Sequence, residues 1–422
     1  MDWEIFSLNN GVTLIYKQKK ECYSVAMGVF VRSGVRYETE QYSGISHFVE
    51  HLLFKGTKNR SARELKEAIE GKGGSFNAFT AEELVCYHIR ILQQYMEAGI
   101  EILADMIKNP LFKPEDIDRE RNVILEEINM YMDIPARYVY DLLDAIMFSK
   151  HPLGTSGLGT PETLRNINRH VLFNYTENFH TGQNIILGVV GNFNRDKLLH
   201  LTETHFGTIE KGKKACFSPF ANFQNKGKFN IKVKETEQCH FCVGFYSYPR
   251  EDERRFPLAV ASTALGGNMS SRLFNEVREN RGLVYDIKCQ VKSFYDTGAL
   301  IISAGLRPDN LIECLKVIKD QIDSIKDNKI SEEELGRARE YLVSQLLMGL
   351  EDPMEYMLWI GEQKTVRKKM ISIRKVVEKI KSVTVEDIKN ICNDIFTTTP
   401  FFAMIGPEEK KEQISKILEV NR

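Results

Sequence analysis

The segment "KPEDIDRERNVILEEINMYMDIPARY" (113–138) aligns without a gap against "SEEELGRAREYLVSQLLMGLEDPMEY" (331–356), which lies in the other half of the chain. Pro135 falls on Pro353 in this alignment. A long internal match of this kind indicates a repeat, in which each copy builds the same supersecondary plan. The chain is therefore predicted to consist of two related halves.

Strand patterns support the same division. "SVAMGVFVRSGVRYE" (24–38) alternates apolar residues early in the first half, and "HFCVGFYSYPREDE" (240–253) has the same character in the second. Late in each half, "NIILGVVGNF" (184–193) matches "FFAMIGPEE" (401–409). Each half thus reads as strands, then long helices, then a strand and a helix. This order predicts an α+β fold in which helices cover a largely antiparallel sheet.

Helix starts are also marked in the repeated segment. Ser331 followed by Glu334 forms a capping-box pattern, and Pro114 stands near the start of the equivalent helix in the first half. Both signals place a helix start at the same point of the two copies.

The length of 422 residues exceeds what one compact core normally contains, so two domains are expected. We place the first α+β domain at 1–210, a linker at 211–228, and the homologous second domain at 229–422. The linker is rich in lysine and contains glycine and asparagine, as connecting segments commonly do.

The net charge and hydropathy of the chain argue against some classes of binding partner. The formal net charge is −1, which argues against nucleic acid or an anionic membrane as the main partner. The first residues show no basic start followed by an apolar run, and no stretch approaches the 18 or so apolar residues of a membrane span. We therefore expect a cytoplasmic protein.

A second short segment, "HFVEHLLFKGT" (47–57), contains two histidines and a glutamate that are candidates for a catalytic metal site. On a helix, positions i, i+3 and i+4 share a face, so His47, Glu50 and His51 point the same way. Two imidazoles at this spacing hold one metal ion while the glutamate reaches a bound water, which is the H-x-x-E-H pattern. Zinc suits such a site, because it takes nitrogen and carboxylate ligands and leaves one position open.

A third ligand must come from another part of the chain. In "ERNVILEEI" (120–128), Glu120 and Glu127 are two helical turns apart and share a stripe, so Glu127 is the natural ligand and Glu120 a supporting carboxylate. Glu126 points about 100° away around the helix. Spacing alone leaves Glu126 open as the ligand.

The second half acts as an internal control on this interpretation. Glu127 falls on Gln345, Glu120 falls on Ala338, and "STALGGNM" (262–269) stands opposite the histidine helix. The alternative is an amphipathic helix whose polar residues have no function, and such a pattern would be expected in both copies. Its confinement to one copy favours a metal site.

The chain resembles the pitrilysin-type inverted zinc metallopeptidases, a family that includes bacterial two-domain processing proteases and the mitochondrial processing peptidase. The resemblance covers nearly the whole chain and implies one Zn²⁺ per chain, bound by His47, His51 and Glu127. It makes Glu50 the general base and Glu120 the supporting acid. It also implies that the second of the paired glutamates, and not the first, is the ligand.

Two further motifs are similar to those of the family. "GGSFNAFTAEE" (73–83) resembles the strand whose backbone pairs with bound peptide, which makes Asn77 and Ala78 substrate-binding candidates. "RENRGLVYD" resembles the second-domain pair that completes the active site, here Arg278 and Tyr285.

The resemblance implies a zinc endopeptidase that acts on peptides or unfolded segments inside a clamp-like chamber. The first domain would hold the metal, and the second would complete the site without binding metal. Homodimers are expected from the same resemblance. The alternatives are a non-catalytic peptide-binding or structural subunit of a processing complex, a maturase dedicated to one precursor peptide, and a hydrolase of another bond in a small molecule.

Overall fold

The computed structural model of the chain describes residues 2–221, 227–327 and 330–419. Residues 222–226 of the predicted linker lie outside the described residues. In the rest of the chain, two β-sheets and many helices form a mixed α+β fold, which confirms the predicted class.

The first sheet has the strand order β1-β2-β6-β3-β5-β4. Neighbouring strands run antiparallel except for the parallel pair β2 and β6. Strand β4 lies at one edge, because it pairs with β5 alone within the described residues. The strands are β1 (Glu4–Ser7), β2 (Thr13–Gln18), β3 (Ser24–Val31), β4 (Ser75–Thr80), β5 (Val85–Leu92) and β6 (Ile185–Gly191).

The second sheet has the order β7-β11-β8-β10-β9, with β7 and β11 parallel and the other pairs antiparallel. Strand for strand, this is the order β2-β6-β3-β5-β4 of the first sheet, so the sequence repeat is a repeat of topology. Only β1 has no equivalent among the described strands. The strands are β7 (Phe229–Val233), β8 (Cys239–Ser247), β9 (Val284–Ser293), β10 (Gly298–Leu306) and β11 (Phe401–Gly406).

Helices follow the strands of each sheet, and a π-helical turn spans Phe274–Glu279. In chain order the α-helices are α1 (Ile45–Leu53), α2 (Ala62–Ile69), α3 (Met96–Lys108), α4 (Pro114–Met132), α5 (Pro135–Met147), α6 (Pro161–Asn166), α7 (Arg169–Phe179), α8 (Arg195–Phe206), α9 (Arg255–Gly266), α10 (Leu311–Asp327), α11 (Glu332–Gly349), α12 (Pro353–Val366), α13 (Ile373–Lys381), α14 (Val385–Phe396) and α15 (Lys411–Leu418).

The chain forms two compact units that differ from the predicted contiguous halves in two segments. The first unit contains Met1–Asn129, Thr155–Ser218 and Leu347–Ser372, and the second contains Met130–Gly154, Pro219–Leu346 and Ile373–Arg422. Helix α5 of the first half therefore belongs to the second unit, and its repeat equivalent α12 belongs to the first.

Glycines in the central strands let the exchanged helices lie close to the sheets. In the first unit α12 packs on β3 and β6, where a Cβ at Gly28 would lie 2.9 Å from Met357 Sδ and one at Gly188 would lie 3.2 Å from it. In the second unit α5 packs on β8 and β11, where a Cβ at Gly244 would lie 2.7 Å from Met147 Sδ. Because each sheet leaves room for a close helix, the helix from the other half fits there.

Candidate metal centre

The start of α1 is held by a carboxylate from outside the helix. The N-cap residue Gly44 has φ 90° and offers no side chain, so the first N–H groups of the helix need another acceptor. Glu38 supplies it, accepting the N–H of Gly44 at 2.8 Å and the N–H of Ser46 at 2.9 Å. Tyr175 donates its hydroxyl to Ser46 Oγ at 2.9 Å. These contacts fix the first turn of the helix that carries the histidines.

Glu38 is itself buried, with 8% of its surface exposed. Burial raises the pKa of its carboxyl group to about 7, against the opposing effect of the hydrogen bonds from Ser46 and Gly44.

Two histidines on α1 and one glutamate on α4 converge. Nε2 of His47 lies 3.8 Å from Glu127 Oε2, and Nε2 of His51 lies 3.7 Å from the same oxygen. One ligand atom from each of the three residues lies within 4.8 Å of the others. Ligands bound tetrahedrally to zinc at ordinary bond lengths are roughly 3.4 Å apart. The donor set and its spacing therefore fit a zinc ion.

A second pair of charged side chains supports one of the histidines. Glu120 Oε2 lies 3.1 Å from His51 Nδ1, and Glu120 Oε1 lies 2.6 Å from Lys55 Nζ. The Glu120 side chain is only 4% exposed, and both of its carboxylate oxygens have a partner in this pair of contacts. A carboxylate on Nδ1 fixes the tautomer that leaves Nε2 free to bind a metal.

The environment of His47 also suits a ligand. Burial, together with the nearby His51, lowers the pKa of its imidazole to about 4, so the ring is neutral at neutral pH. Neutral imidazole is the form that binds metal ions.

Glu50 faces the same side of α1 as the histidines. Its Oε2 accepts a hydrogen bond from Thr80 Oγ1 at 2.5 Å. Burial raises the pKa of the Glu50 carboxyl group, while the Thr80 hydrogen bond lowers it. The net effect raises the pKa of Glu50, so its carboxylate has an increased affinity for a proton, as suits a base.

Asn77 and Ala78 lie in the edge strand β4, opposite His88 and Tyr87 of β5. The Ala78 N–H donates to Asn77 Oδ1 at 2.9 Å. Since β4 ends at Thr80, the edge strand leads directly to the Glu50 carboxylate. An edge strand offers unpaired backbone groups that can bind an extended peptide.

Arg278 and Tyr285 belong to the second unit and lie close to one another. The Arg278 guanidinium stands 5.2 Å from the centre of the Tyr285 ring, and Tyr285 is 79% exposed. Their placement at the metal centre of the first unit stays a prediction.

Sequence reasoning overlooked three residues that shape the site, namely Glu38, Lys55 and Thr80. Lys55 stands four residues after His51, a spacing that could have paired it with the same acidic stripe. Thr80 closes the strand motif that suggested Asn77. Nothing near Glu38 in the sequence marks it, because it meets α1 from a separate turn.

Comparison with known proteins gives the family. Residues 13–161 match the family model described as insulinase (peptidase family M16), and residues 166–342 match the one described as peptidase M16 inactive domain. The chain belongs to the M16 peptidase family. The predicted family is therefore confirmed.

Relatives of this M16 chain are similar along nearly their whole length. An uncharacterized zinc protease of Bacillus subtilis is 34% identical over 95% of this chain and 98% of its own length. One of Streptomyces coelicolor is 33% identical over 96% of this chain and 90% of its own. The crystal structure of a Helicobacter pylori protease matches with a TM-score of 0.89 at 20% identity, covering 96% and 99% of the two chains.

None of the described helices in this M16 chain is both long enough and apolar enough to cross a membrane.

Proposed function

We propose that this protein is a zinc endopeptidase that hydrolyses peptides or unfolded polypeptide segments. The observation that carries the proposal is the convergence of His47, His51 and Glu127, with the Glu50 carboxylate on the same helix face. The names of the relatives as zinc proteases support the choice of metal.

Each side chain of the site has a separate task. Zinc held by His47, His51 and Glu127 would act as a Lewis acid that polarises a peptide carbonyl and lowers the pKa of water. Glu50 accepts the proton of the attacking water at a carboxylate oxygen and then passes it to the leaving amine. Glu120 holds His51 at Nδ1, so that its Nε2 keeps the lone pair directed at the metal position.

The edge strand β4 supports a peptide as the substrate. An extended chain can hydrogen-bond to Asn77 and Ala78 through its own backbone, which requires no particular side chains. A folded protein offers few free strands of this kind, so unfolded segments are the better substrates. Arg278 and Tyr285 would supply donors to the developing oxyanion, and this part of the proposal rests on the family resemblance, as do the closed chamber and the homodimer.

The test is hydrolysis of a mixed set of unstructured peptides, with zinc removed by a chelator and then restored. Wild-type protein should cleave, lose activity with the metal and regain it on addition of zinc. Glu50→Gln should bind zinc and lose activity by roughly 100-fold or more, because a general base contributes about 10²- to 10⁴-fold to such a rate.

Glu126→Gln provides the matched control, since Glu126 neighbours the ligand Glu127 on α4 but is exposed. It should retain both zinc and activity, whereas Glu127→Gln should lose both. Zinc binding without hydrolysis of any peptide would contradict a general endopeptidase and favour the dedicated maturase or the peptide-binding subunit. Failure to bind zinc would contradict the metal centre itself.

A further inference from the structure

We propose that Thr80 is a positioning residue, whose hydroxyl holds the Glu50 carboxylate in the orientation needed to accept a proton. This inference rests on the proposed function, because it concerns the base of that reaction. The observation behind it is the hydrogen bond from Thr80 Oγ1 to Glu50 Oε2, at 2.5 Å. Neither residue type nor spacing in the sequence pointed to this contact.

The donor is delivered from a fixed element. Thr80 is the last residue of β4 and stands opposite Val85 in the antiparallel pair with β5. Threonine is β-branched, so its side chain has few rotamers in a strand. The position of the hydroxyl is therefore set by the sheet, while Glu50 is set by α1. The hydrogen bond joins the two elements at the carboxylate.

The acceptor needs such a restraint. The terminal torsion of a glutamate is broad, so an unrestrained carboxylate samples many orientations. With Oε2 bound to Thr80, Oε1 is the oxygen without a hydrogen-bond partner in the described part of the chain. That leaves one carboxylate oxygen for the hydroxyl of Thr80 and the other for the proton of the attacking water.

The same strand carries the predicted substrate contacts. Asn77 and Ala78 precede Thr80 in β4, so the strand that would pair with the peptide also holds the base. Strand β4 would therefore position both the bound peptide and the Glu50 carboxylate. The alignment of base and scissile bond follows from a single short strand.

The test uses two substitutions at this position. Thr80→Val keeps the shape and the β-branch but removes the hydroxyl, and Thr80→Ser keeps the hydroxyl. Thr80→Val should lower kcat by about 10- to 100-fold, because a misplaced catalytic group costs a rate of this order. KM and zinc affinity should stay close to wild type, and Thr80→Ser should restore most of kcat.

Thr13→Val is the matched control, since it removes a hydroxyl from strand β2 of the same sheet. It should leave all three quantities unchanged. A wild-type kcat in Thr80→Val would overturn the proposal. So would a raised KM with unchanged kcat, which would show that Thr80 serves peptide pairing instead.

Crystal structures of the zinc-loaded wild type and Thr80→Val give a readout that does not depend on activity. The Glu50 carboxylate should keep its hydrogen bond to Thr80 in the wild type and rotate away in the variant. If the wild type cleaves no peptide, the proposed function fails, and these structures still decide the positioning role. An unmoved carboxylate in Thr80→Val would overturn it.

Discussion

At the scale of single residues, the buried carboxyl group of Glu38 stabilises the first turn of the helix that carries the candidate metal ligands. It caps the helix that carries His47, Glu50 and His51, and its hydrogen bonds there come from the uncharged N–H groups of Gly44 and Ser46. Burial disfavours its ionised form, so the folded state holds the proton more tightly than the unfolded chain does.

The sign of the resulting pH dependence follows directly. The pKa is about 7 in the folded protein against 4.5 in the reference state, so between these values unfolding releases a proton. The contribution of Glu38 to the free energy of unfolding should therefore fall as pH rises from about 4.5 to 7, by at most about 3 kcal/mol, and stay constant above that range. Urea unfolding at a series of pH values measures it.

Glu38→Gln is the control, because the amide cannot titrate. The amide has one acceptor oxygen fewer than the carboxylate, which lowers the free energy of unfolding at every pH. In addition, the difference in this free energy between wild type and Glu38→Gln should change between pH 5 and 7, because only wild type titrates there. A difference that stays constant across this range would show that Glu38 is not the group responsible.

The sequence predicted the candidate ligands on one helix more firmly than the one on a separate helix, for a physical reason. His47 and His51 lie on one helix, so spacing alone places them together. The choice between Glu126 and Glu127 stayed open, since both belong to another helix. In the structure Glu127 approaches both histidines, while Glu126 is exposed. Contacts that join separate elements, such as those of Glu38 with the N–H groups of Gly44 and Ser46, have no signature in local spacing.

At the scale of elements, helix α12 is an informative case, because it packs on the sheet of the first unit although it lies in the second half of the sequence. Gly361 faces Phe30 of β3 so closely that a Cβ at this position would overlap the ring. Gly336, in α11, has open space around its Cβ position. The two helical glycines therefore differ in packing, and they belong to different units, Gly361 to the first and Gly336 to the second.

Gly361→Ala should destabilise the first unit by about 1–3 kcal/mol, the usual cost of overpacking a well-filled contact. Gly336→Ala should be neutral or stabilise by up to about 1 kcal/mol, because alanine favours a helix over glycine. Both tryptophans, Trp3 and Trp359, belong to the first unit, with ring centroids 6.0 Å apart. Tryptophan fluorescence during urea unfolding thus follows that unit.

Gly361→Ala should shift the fluorescence transition to lower urea, whereas circular dichroism, which follows the helices of both units, should show no loss of stability in Gly336→Ala. Equal transitions for the two variants would contradict the close packing of α12 on β3.

The element order was predictable because it depends on local patterns. The capping box at Ser331 and Glu334 is present, with the Glu334 N–H donating to Ser331 Oγ at 3.1 Å, and α4 begins at Pro114. The exchange of α5 and α12 between the sheets was not predicted. It depends on glycines in strands meeting residues distant in sequence, a relation that a pattern within one window does not contain.

At the scale of the whole molecule, the predicted site residues are distributed over two copies of one topology. The copy with β4 carries the candidate metal ligands, and the copy with the equivalent strand β9 carries Arg278 and Tyr285. Strand β9 occupies the same place in its sheet as β4 does in the other, because β9 lies at the edge beside β10 and β4 lies at the edge beside β5. The shared strand order shows that this topology does not depend on the histidine pattern, since the second sheet has it without those histidines.

Tyr285→Phe tests whether the second unit completes the active site. Because Tyr285 is 79% exposed, removal of its hydroxyl should not change stability or zinc affinity. If the hydroxyl donates to the oxyanion, kcat should fall by about 100-fold, as loss of one such donor does in other hydrolases. Tyr23→Phe, at a residue 85% exposed in the first unit, is the matched control and should behave as wild type. Full activity in Tyr285→Phe would remove this hydroxyl from the mechanism and leave the metal and Arg278 to stabilise the oxyanion.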